Sequence, residues 1–410
     1  MGIDSRGSRA EAAADRPDRP DRRQGAGVVG ERPGPIDLDR LMTRAEAYQQ
    51  ARADFEVSHG RGRGAPLDAS GMLPDDIALP QKAPPRKAPL EGGRAPGDKP
   101  LRDAPDEARL EAHVDTPDLP KPGPASGYGP PPDKRDGAPI PCFDGLPSRE
   151  QTAQGRLGDC GVIASLGAIA GHRPEAIKDC VRHNDDGSHE VRLHETRYVP
   201  EKGRAEPTGR LITLTVTRDL PMRDDQPGTA AFADPARTGV TWSPVLEKAL
   251  AGVDQTWSDG RHAEWDRKWD MIRAHKEVPE SPAHGYGRLA QGSNPRDQAE
   301  ILTQVTGEPA VNRKFPDGMP EAGLAAESLL AANFRHLLDE DKPILVGTRP
   351  RRGDETRLPH GLVDSHAYEV VAVTDDNKIQ VRNPWNRRHP ELMTPKQFRD
   401  NFRPYYTTLE

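Results

Sequence analysis

Gln154-Gly155-Arg156-Leu157-Gly158-Asp159-Cys160, followed by the apolar positions Val162, Ile163, Leu166, Ile169 and Ala170, decides how the rest of this chain is read. The apolar residues recur at helical spacing with Ala164 and Ala168 between them, so a helix starts at about Cys160. Gly155 and Gly158 loosen the backbone just before it, and Asp159 is of the residue type that caps a helix N-terminus. A cysteine in that position faces unpaired N–H groups and the positive end of the macrodipole, which favour thiolate over thiol. Alone, such a cysteine reads first as a small core residue. Gln154 changes that reading, because its amide can point a donor at an oxyanion formed on a carbonyl attacked by Cys160.

The partners a nucleophile needs lie far downstream. Gly361-Leu362-Val363-Asp364-Ser365-His366-Ala367-Tyr368-Glu369-Val370-Val371-Ala372-Val373 carries His366 at the start of a β-branched run. A second short strand, Ile379 to Arg382, delivers Asn383, with Pro384 and Trp385 next. Neighbouring strands thus supply a base and its orienter, the arrangement a Cys/His/Asn system requires. Trp385 is placed to cover the His366–Asn383 hydrogen bond from water, and burial would strengthen that bond.

These residues resemble the calpain family of papain-like cysteine proteases. The matching motifs are QGRLGDC from Gln154, HAYEV from His366 and RNPWN from Arg382. Leu214-Thr215-Val216-Thr217-Arg218-Asp219-Leu220-Pro221 resembles the family's strand before an Asp-x-Leu-Pro turn, and Trp242 to Ala249 resembles its Trp-x-x-Leu-Leu-Glu-Lys-Ala helix. Tyr286, Leu289, Gly292 and the segment from Leu302 to Gly307 follow in the family's order. The resemblance covers the chain from about Pro139 onward. It implies an α+β, papain-like fold of two subdomains, a helical half bearing the cysteine and a β-sheet half bearing His366 and Asn383. It also implies endopeptidase activity on protein substrates, with Cys160, His366 and Asn383 catalytic, Gln154 in the oxyanion hole and Trp385 in support.

Composition bounds the rest. With 43 Pro, 39 Gly, 33% hydrophobic and only 5% aromatic residues, the chain is too poor in apolar side chains to fold throughout. The deficit is concentrated in the first third, which predicts a disordered leader over 1–137, a subdomain with the nucleophile over 138–307 and one with His and Asn over 308–410. Within the leader, Ile36 to Phe55 has helical apolar spacing and reads as a short docking helix or as nothing, since isolated short helices are marginal. Strands are expected at Glu190–His194, Leu211–Val216, Ile344–Gly347, His366–Val373 and Ile379–Arg382, with helices over Trp242–Ala251 and Leu329–Leu338 and a hinge over Gly307–Pro320. Trp265, Trp269 and Ile272 share a helical face in a stretch longer than the family pattern, read as core packing or as a cleft-shaping insertion.

The net charge of −7 is made of both signs spread along the chain, with no basic run interleaved with aromatics, which gives nucleic-acid binding no support. No apolar stretch approaches membrane-spanning length and the N-terminus lacks a signal pattern, so cytoplasmic synthesis is expected. The leader would suit export as an effector or toxin without a cleaved signal, with an inhibitor or immunity protein as a compatible partner. Cys142, Cys160 and Cys180 make no disulfide framework, and no His/Cys cluster has metal-ligand spacing.

Departures from the family pattern matter too. Gly161 stands where the family usually has Trp, which predicts the loss of an aromatic cleft wall, and Asn386 stands where Gly is common. The resemblance alone would suggest calcium, but the link Thr374–Lys378 is short and no penta-EF-hand region is present, so the expectation is no cofactor and calcium-independent or weakly regulated activity. Two alternatives stay open: a transglutaminase- or deamidase-like use of the same Cys/His chemistry, against which the Asn383 orienter argues, and an inactive protein-binding module, for which Gly161 is the one hint.

Overall fold

A computed structural model of the chain describes residues 110–134, 136–276, 282–318 and 325–410. The apolar segment after Asp159 forms helix α1 (Cys160–His172), in which every residue from Gly161 to Ala170 is buried. A helix apolar all round has no face to give to water, so the other elements gather about it. Burying Ile163, Leu166 and Ile169 contributes about 1.5–3 kcal/mol each. Its small residues allow close approach: a Cβ at Gly167 would lie 2.7 Å from Arg382 Nη1, and one at Gly171 2.0 Å from Arg149 Cζ.

The described strands are β1 (Glu111–Val114), β2 (Ala125–Gly129), β3 (Val181–His183), β4 (His189–Val199), β5 (Arg204–Val216), β6 (Leu220–Arg223), β7 (Ala310–Lys314), β8 (Ile344–Thr348), β9 (Ala367–Val373), β10 (Ile379–Arg382) and β11 (Phe402–Leu409). The helices after α1 are α2 (Pro174–Cys180), α3 (Pro235–Thr238), α4 (Trp242–Gly252), α5 (Asp259–Lys276), α6 (Gly285–Leu289), α7 (Pro295–Thr306), α8 (Ala326–Asp339) and α9 (Pro395–Asn401). All strands but β2 and β6, which pair with each other, join one sheet in the order β10-β9-β8-β11-β7-β5-β4-β3, with β1 added to β5. Only the β1–β5 pair is parallel among these.

Alternation sets the faces. Val191 and Leu193 on β4, and Ile212, Leu214 and Val216 on β5, point inward at period two. They pack with α1, α4 and α7 in one apolar core. A second core is mainly aromatic, joining Phe315, Phe334, Tyr368, Phe398, Phe402 and Tyr406. Phe398 and Phe402 stack there with centroids 4.1 Å apart, because they sit four residues apart across the end of α9.

The fold is thus mixed helix and sheet. The cysteine-bearing part is less helical than expected, since it contributes β3 to β6. The expected hinge over Gly307–Pro320 is corrected in part: Gly307 ends α7 with φ 71°, and β7 follows, paired on both sides by β5 and β11. The β5–β7 junction is narrow, only Arg204↔Val311 and Ala205↔Ala310.

The leader boundary also moves. β1 and β2 fall within 1–137, and Val114 is fully buried, its methyls pressed against Gly252 where a Cβ would lie 2.4 Å from Val114 Cγ1. Average composition over that long segment hides two short strands that borrow an existing strand's free hydrogen-bonding edge. The remainder of the expected leader, including Ile36 to Phe55, lies outside the described residues. In the long α5 segment Trp269 is buried, and half-buried Trp265 donates from Nε1 to Ala283 O at 2.5 Å, which fits core packing; the Ile272 side chain lies outside the described ones.

Candidate active site

Cys160 is the first residue of α1, half-buried, with Asp159 in the N-cap position. The backbone carbonyl of Asp159 accepts from Val162 N at 2.8 Å and Ile163 N at 3.2 Å, which fixes the first turn. The backbone N–H of Ala367 points at Cys160 Sγ at 3.5 Å, so the start of β9 lies directly against the sulfur. Burial pushes the thiol up to about 11, with the Ala367 N–H opposing that rise and the Asp159 charge adding to it. Burial is thus the largest influence on the thiol, and it favours the neutral form.

His366 immediately precedes β9 and is buried. Ser365 before it has φ 49°, in the left-handed region, which turns the chain so that the imidazole faces inward. His366 N donates to Thr348 Oγ1 at 2.9 Å, pinning the backbone. Its Nε2 meets Asn383 Oδ1 at 3.1 Å. Asn383, directly after β10, is fully buried, and the same Oδ1 accepts from Trp385 N at 3.0 Å while Nδ2 donates to Arg388 O at 3.4 Å. Those two bonds settle which end of the amide is oxygen, so His366 Nε2 carries the proton and Nδ1 is the unprotonated nitrogen of the neutral ring. Burial lowers the His366 pKa, partly offset by the Asn383 bond, which favours that neutral form. The Trp385 ring lies 5.0 Å from the imidazole, and Tyr368 meets it edge-on at 5.0 Å.

Gln154 is buried beside the cysteine, and its Nε2 donates to Leu157 O at 2.7 Å and Asp159 Oδ1 at 3.3 Å, while Oε1 has no partner. The amide is thus turned into the loop in this structure. The Asp159 side chain makes no capping bond to the helix; it faces Gln154 and Glu247 instead. Glu247 comes from α4, a helix in which every residue is buried, and both its oxygens accept from Ala233 N, at 3.1 and 3.2 Å. Its neighbour Lys248 donates to Thr217 O, Thr217 Oγ1 and Asp219 O at 3.0, 2.8 and 2.6 Å, bracing the turn between β5 and β6. The Asp159–Glu247 contact was not read from the sequence. A charged pair inside an otherwise apolar helix was the available signal.

Several bonds bring the two sides together at the site. Gln154 N donates to Pro384 O at 2.9 Å, and Arg382 Nη2 donates to Thr152 O and Oγ1, each at 3.1 Å. Asn386 has φ 52°, the conformation glycine takes and asparagine tolerates, so this departure preserves the turn. Its side chain adds a donor bond to Glu150 O at 2.7 Å. Gly161 corrects the cleft-wall expectation: it is buried, and a Cβ there would lie 2.5 Å from Ser293 Cβ and 3.3 Å from Gln298 Nε2. A side chain at 161 would thus run into the loop entering α7 and the helix's first turn. Cys142 and Cys180 are free, with thiols each pushed up to about 12 chiefly by burial. Among the described residues no three His, Cys, Asp or Glu side chains are grouped to hold a metal ion. No helix of the described residues is long and apolar enough to cross a membrane.

No family model matches the chain. It is 25% identical over 252 residues, 60% of its length, to the calpain-type cysteine protease DEK1 of Zea mays. It is 24% identical over 251 residues to the calpain-type cysteine protease ADL1 of Oryza sativa subsp. japonica, and 23% identical over 251 residues to DEK1 of Arabidopsis thaliana. Each match covers 60% of this chain but 9% of the relative, so the chain spans only a small part of these much longer proteins. The similarity is to a calpain-like core, as the motifs had indicated.

Proposed function

We propose that the chain is a calpain-like cysteine endopeptidase, built as a papain-like pair of halves meeting near residue 307, with Cys160, His366 and Asn383 as its triad. The observation that carries this reading is the placement of His366, held by Asn383 at 3.1 Å, one residue from the backbone N–H that touches Cys160 Sγ.

Burial favours the neutral thiol and the neutral imidazole, so attack on a peptide carbonyl is coupled to proton transfer. The S–H proton passes to His366 Nδ1 as the S–C bond forms and the carbonyl becomes an oxyanion. Asn383 keeps Nε2–H bound and so leaves Nδ1 as the nitrogen that takes the proton. The Cys160 N–H and Gln154 Nε2 stabilise the oxyanion, which competes for the amide hydrogen now held in the longer, 3.3 Å bond to Asp159. Collapse breaks the C–N bond, and the leaving amine takes the proton from His366. Water, deprotonated by the same ring, then hydrolyses the thioester and returns the proton to sulfur. No step is routed through calcium, and the reaction is expected to proceed with chelator present. Cytoplasmic synthesis with later delivery as an effector remains part of the proposal.

The test is intact mass and gel analysis of an unfolded protein substrate with wild type and Cys160→Ala, in calcium and in chelator. Cleavage by wild type alone under both conditions supports the reading. Ammonia release or cross-linking without cleavage would replace it with acyl transfer to other acceptors, and inertness with an unreactive Cys160 would point to a binding module.

A further inference from the structure

We infer that the guanidinium of Arg382, seated with Arg149 and Glu369 against two glycines of α1, fixes Asn383 relative to the nucleophile helix. The inference rests on the cysteine acyl-transfer reading above and adds Arg382 to it as a positioning residue, with Arg149 and Glu369 as its supports.

Arg382 ends β10 and is joined directly to Asn383, and its cross-strand partner on β9 is Glu369, three residues after His366. Both side chains are buried, Glu369 fully and Arg382 to 6% exposure. Gly167 of α1 leaves the notch that receives them. A Cβ there would lie 2.7 Å from Arg382 Nη1, 3.1 Å from Thr152 Oγ1 and 3.7 Å from Glu369 Oε2. Gly171, one turn on along the same face, makes room for the Arg149 guanidinium. Arg149 ties the group together: Nε donates to Glu369 Oε1 at 2.5 Å and Nη2 to His172 Nε2 at 2.7 Å, while its carbonyl oxygen accepts from Arg382 Nη2. Arginine can only donate, so His172 accepts there as the neutral ring, its pKa pushed down to about 4 by burial and by Arg149.

Charges withdrawn from water add little to stability, and here Arg382 Nη1 and Glu369 Oε2 lack hydrogen-bond partners. What the group supplies is placement. Arg382 Nη2 lies within bonding reach of Arg149 O, Thr152 O, Thr152 Oγ1 and Asn386 Oδ1, the last three at 3.1 Å. The 149–152 segment leads into Gln154, and Asn386 closes the turn that follows Asn383. Two further bonds join the same stretches, Gln154 N to Pro384 O at 2.9 Å and Asn386 Nδ2 to Glu150 O at 2.7 Å. One cation thus spaces the orienter from the oxyanion donor. Without it Asn383 keeps its side chain but loses the anchor one residue before it, and Oδ1 is freed to drift from His366 Nε2. The other titratable groups around the cation are Glu150, from the helical turn Arg149–Gln151, His172 at the end of α1 and His389 after β10.

The experiment compares Arg382→Met, Arg382→Lys and Gly167→Ala in the full chain. Peptidase kinetics are read together with a nitrogen NMR titration of the His366 imidazole, assigned by its loss in His366→Gln, which needs no peptidase activity. Methionine keeps a buried stem and deletes the donors, and is expected to lower kcat about tenfold or more with KM changed less than about twofold. The Asn383 bond raises the His366 pKa, so weakening it should move the His366 midpoint, and the acid limb of kcat/KM, to lower pH. Lysine keeps the charge and a donor head on a different frame, and should recover part of both changes. Gly167→Ala retains the arginine but drives its guanidinium from the notch, and should move both readouts in the same direction even if the methionine variant does not fold. A role in stability alone predicts easier unfolding with His366 titrating as in wild type. That result in Arg382→Met, or in Gly167→Ala where methionine prevents folding, overturns the inference. A shifted His366 titration in a protein whose wild type cleaves no peptide would instead overturn the peptidase reading alone.

Discussion

The two sides of the cleft are held by different chemistry. On the His366 side the bonds to the ring and its orienter join uncharged groups, the imidazole to Asn383, Asn383 to Trp385 N and Arg388 O, and His366 N to Thr348, with His389 Nδ1 accepting from Asn383 N as the one titratable partner. On the Cys160 side the supports are ionisable, and Gln154 Oε1, Asp159 Oδ2 and the Tyr286 hydroxyl are buried without hydrogen-bond partners. Neutral networks keep their geometry over a wide pH range, whereas buried carboxyls change theirs with each proton. The proposed base is therefore preset, and the proposed nucleophile and oxyanion donor are the adjustable side.

The comparison is broken most severely by Asn383→Ala. It removes the acceptor that sets the His366 tautomer, and kcat/KM should fall on the order of 10³–10⁴-fold while Cys160 alkylation persists. A fall under tenfold would mean that Trp385 and Thr348 hold the ring without Asn383. Gly161→Ala tests the packing on the cysteine side. Its methyl has no room beside Ser293, so unfolding should become easier by about 1–3 kcal/mol in denaturant titration. An unchanged midpoint would show that the loop entering α7 yields freely.

The pH profile sharpens the contrast. His366 is shifted down from its ordinary 6.5, so its folded form stays neutral to more acidic pH than the unfolded chain would. The acid limb of kcat/KM should accordingly lie below that value, and activity should be lost as pH falls through it and the ring protonates. By linkage the neutral burial of His366 stabilises the fold above the ordinary value, and that contribution fades below it. A limb at or above 6.5 would indicate a charged partner the ring does not have here. The smallest effect is expected from Asn386→Gly, which relieves the left-handed φ but gives up the bond to Glu150 O. These oppose, and stability should move by less than about 1 kcal/mol by thermal unfolding.

What the sequence made legible were features with a local signature. The buried helix after Cys160, the strands carrying His366 and Asn383, and the left-handed turn at Asn386 each follow from spacing or residue type within a few positions. What it hid depended on distance in the chain. Glu247 and Asp159 are 88 positions apart in the numbering, and nothing local to either announces that they share a contact. The strands β1 and β2 are intelligible only once β5 and β6 exist to receive them. Gly161 was misjudged because the direction of a missing side chain cannot be read without the loop it would strike.

The position of β11 bears on how the molecule comes into being. This strand lies between β7 and β8, and so joins β8, β9 and β10, which carry the histidine and asparagine and lie against α1, to β7, β5, β4 and β3. It also follows every residue of the site in the chain. During synthesis, then, the cysteine, the histidine and the asparagine all leave the ribosome before the strand that joins the two parts of the sheet. Since chains emerge at about 5–20 residues per second, the interval is short, but through it the reactive parts exist without a completed sheet to align them. In the order of translation the proposed site therefore lacks this strand until Phe402–Leu409 has emerged.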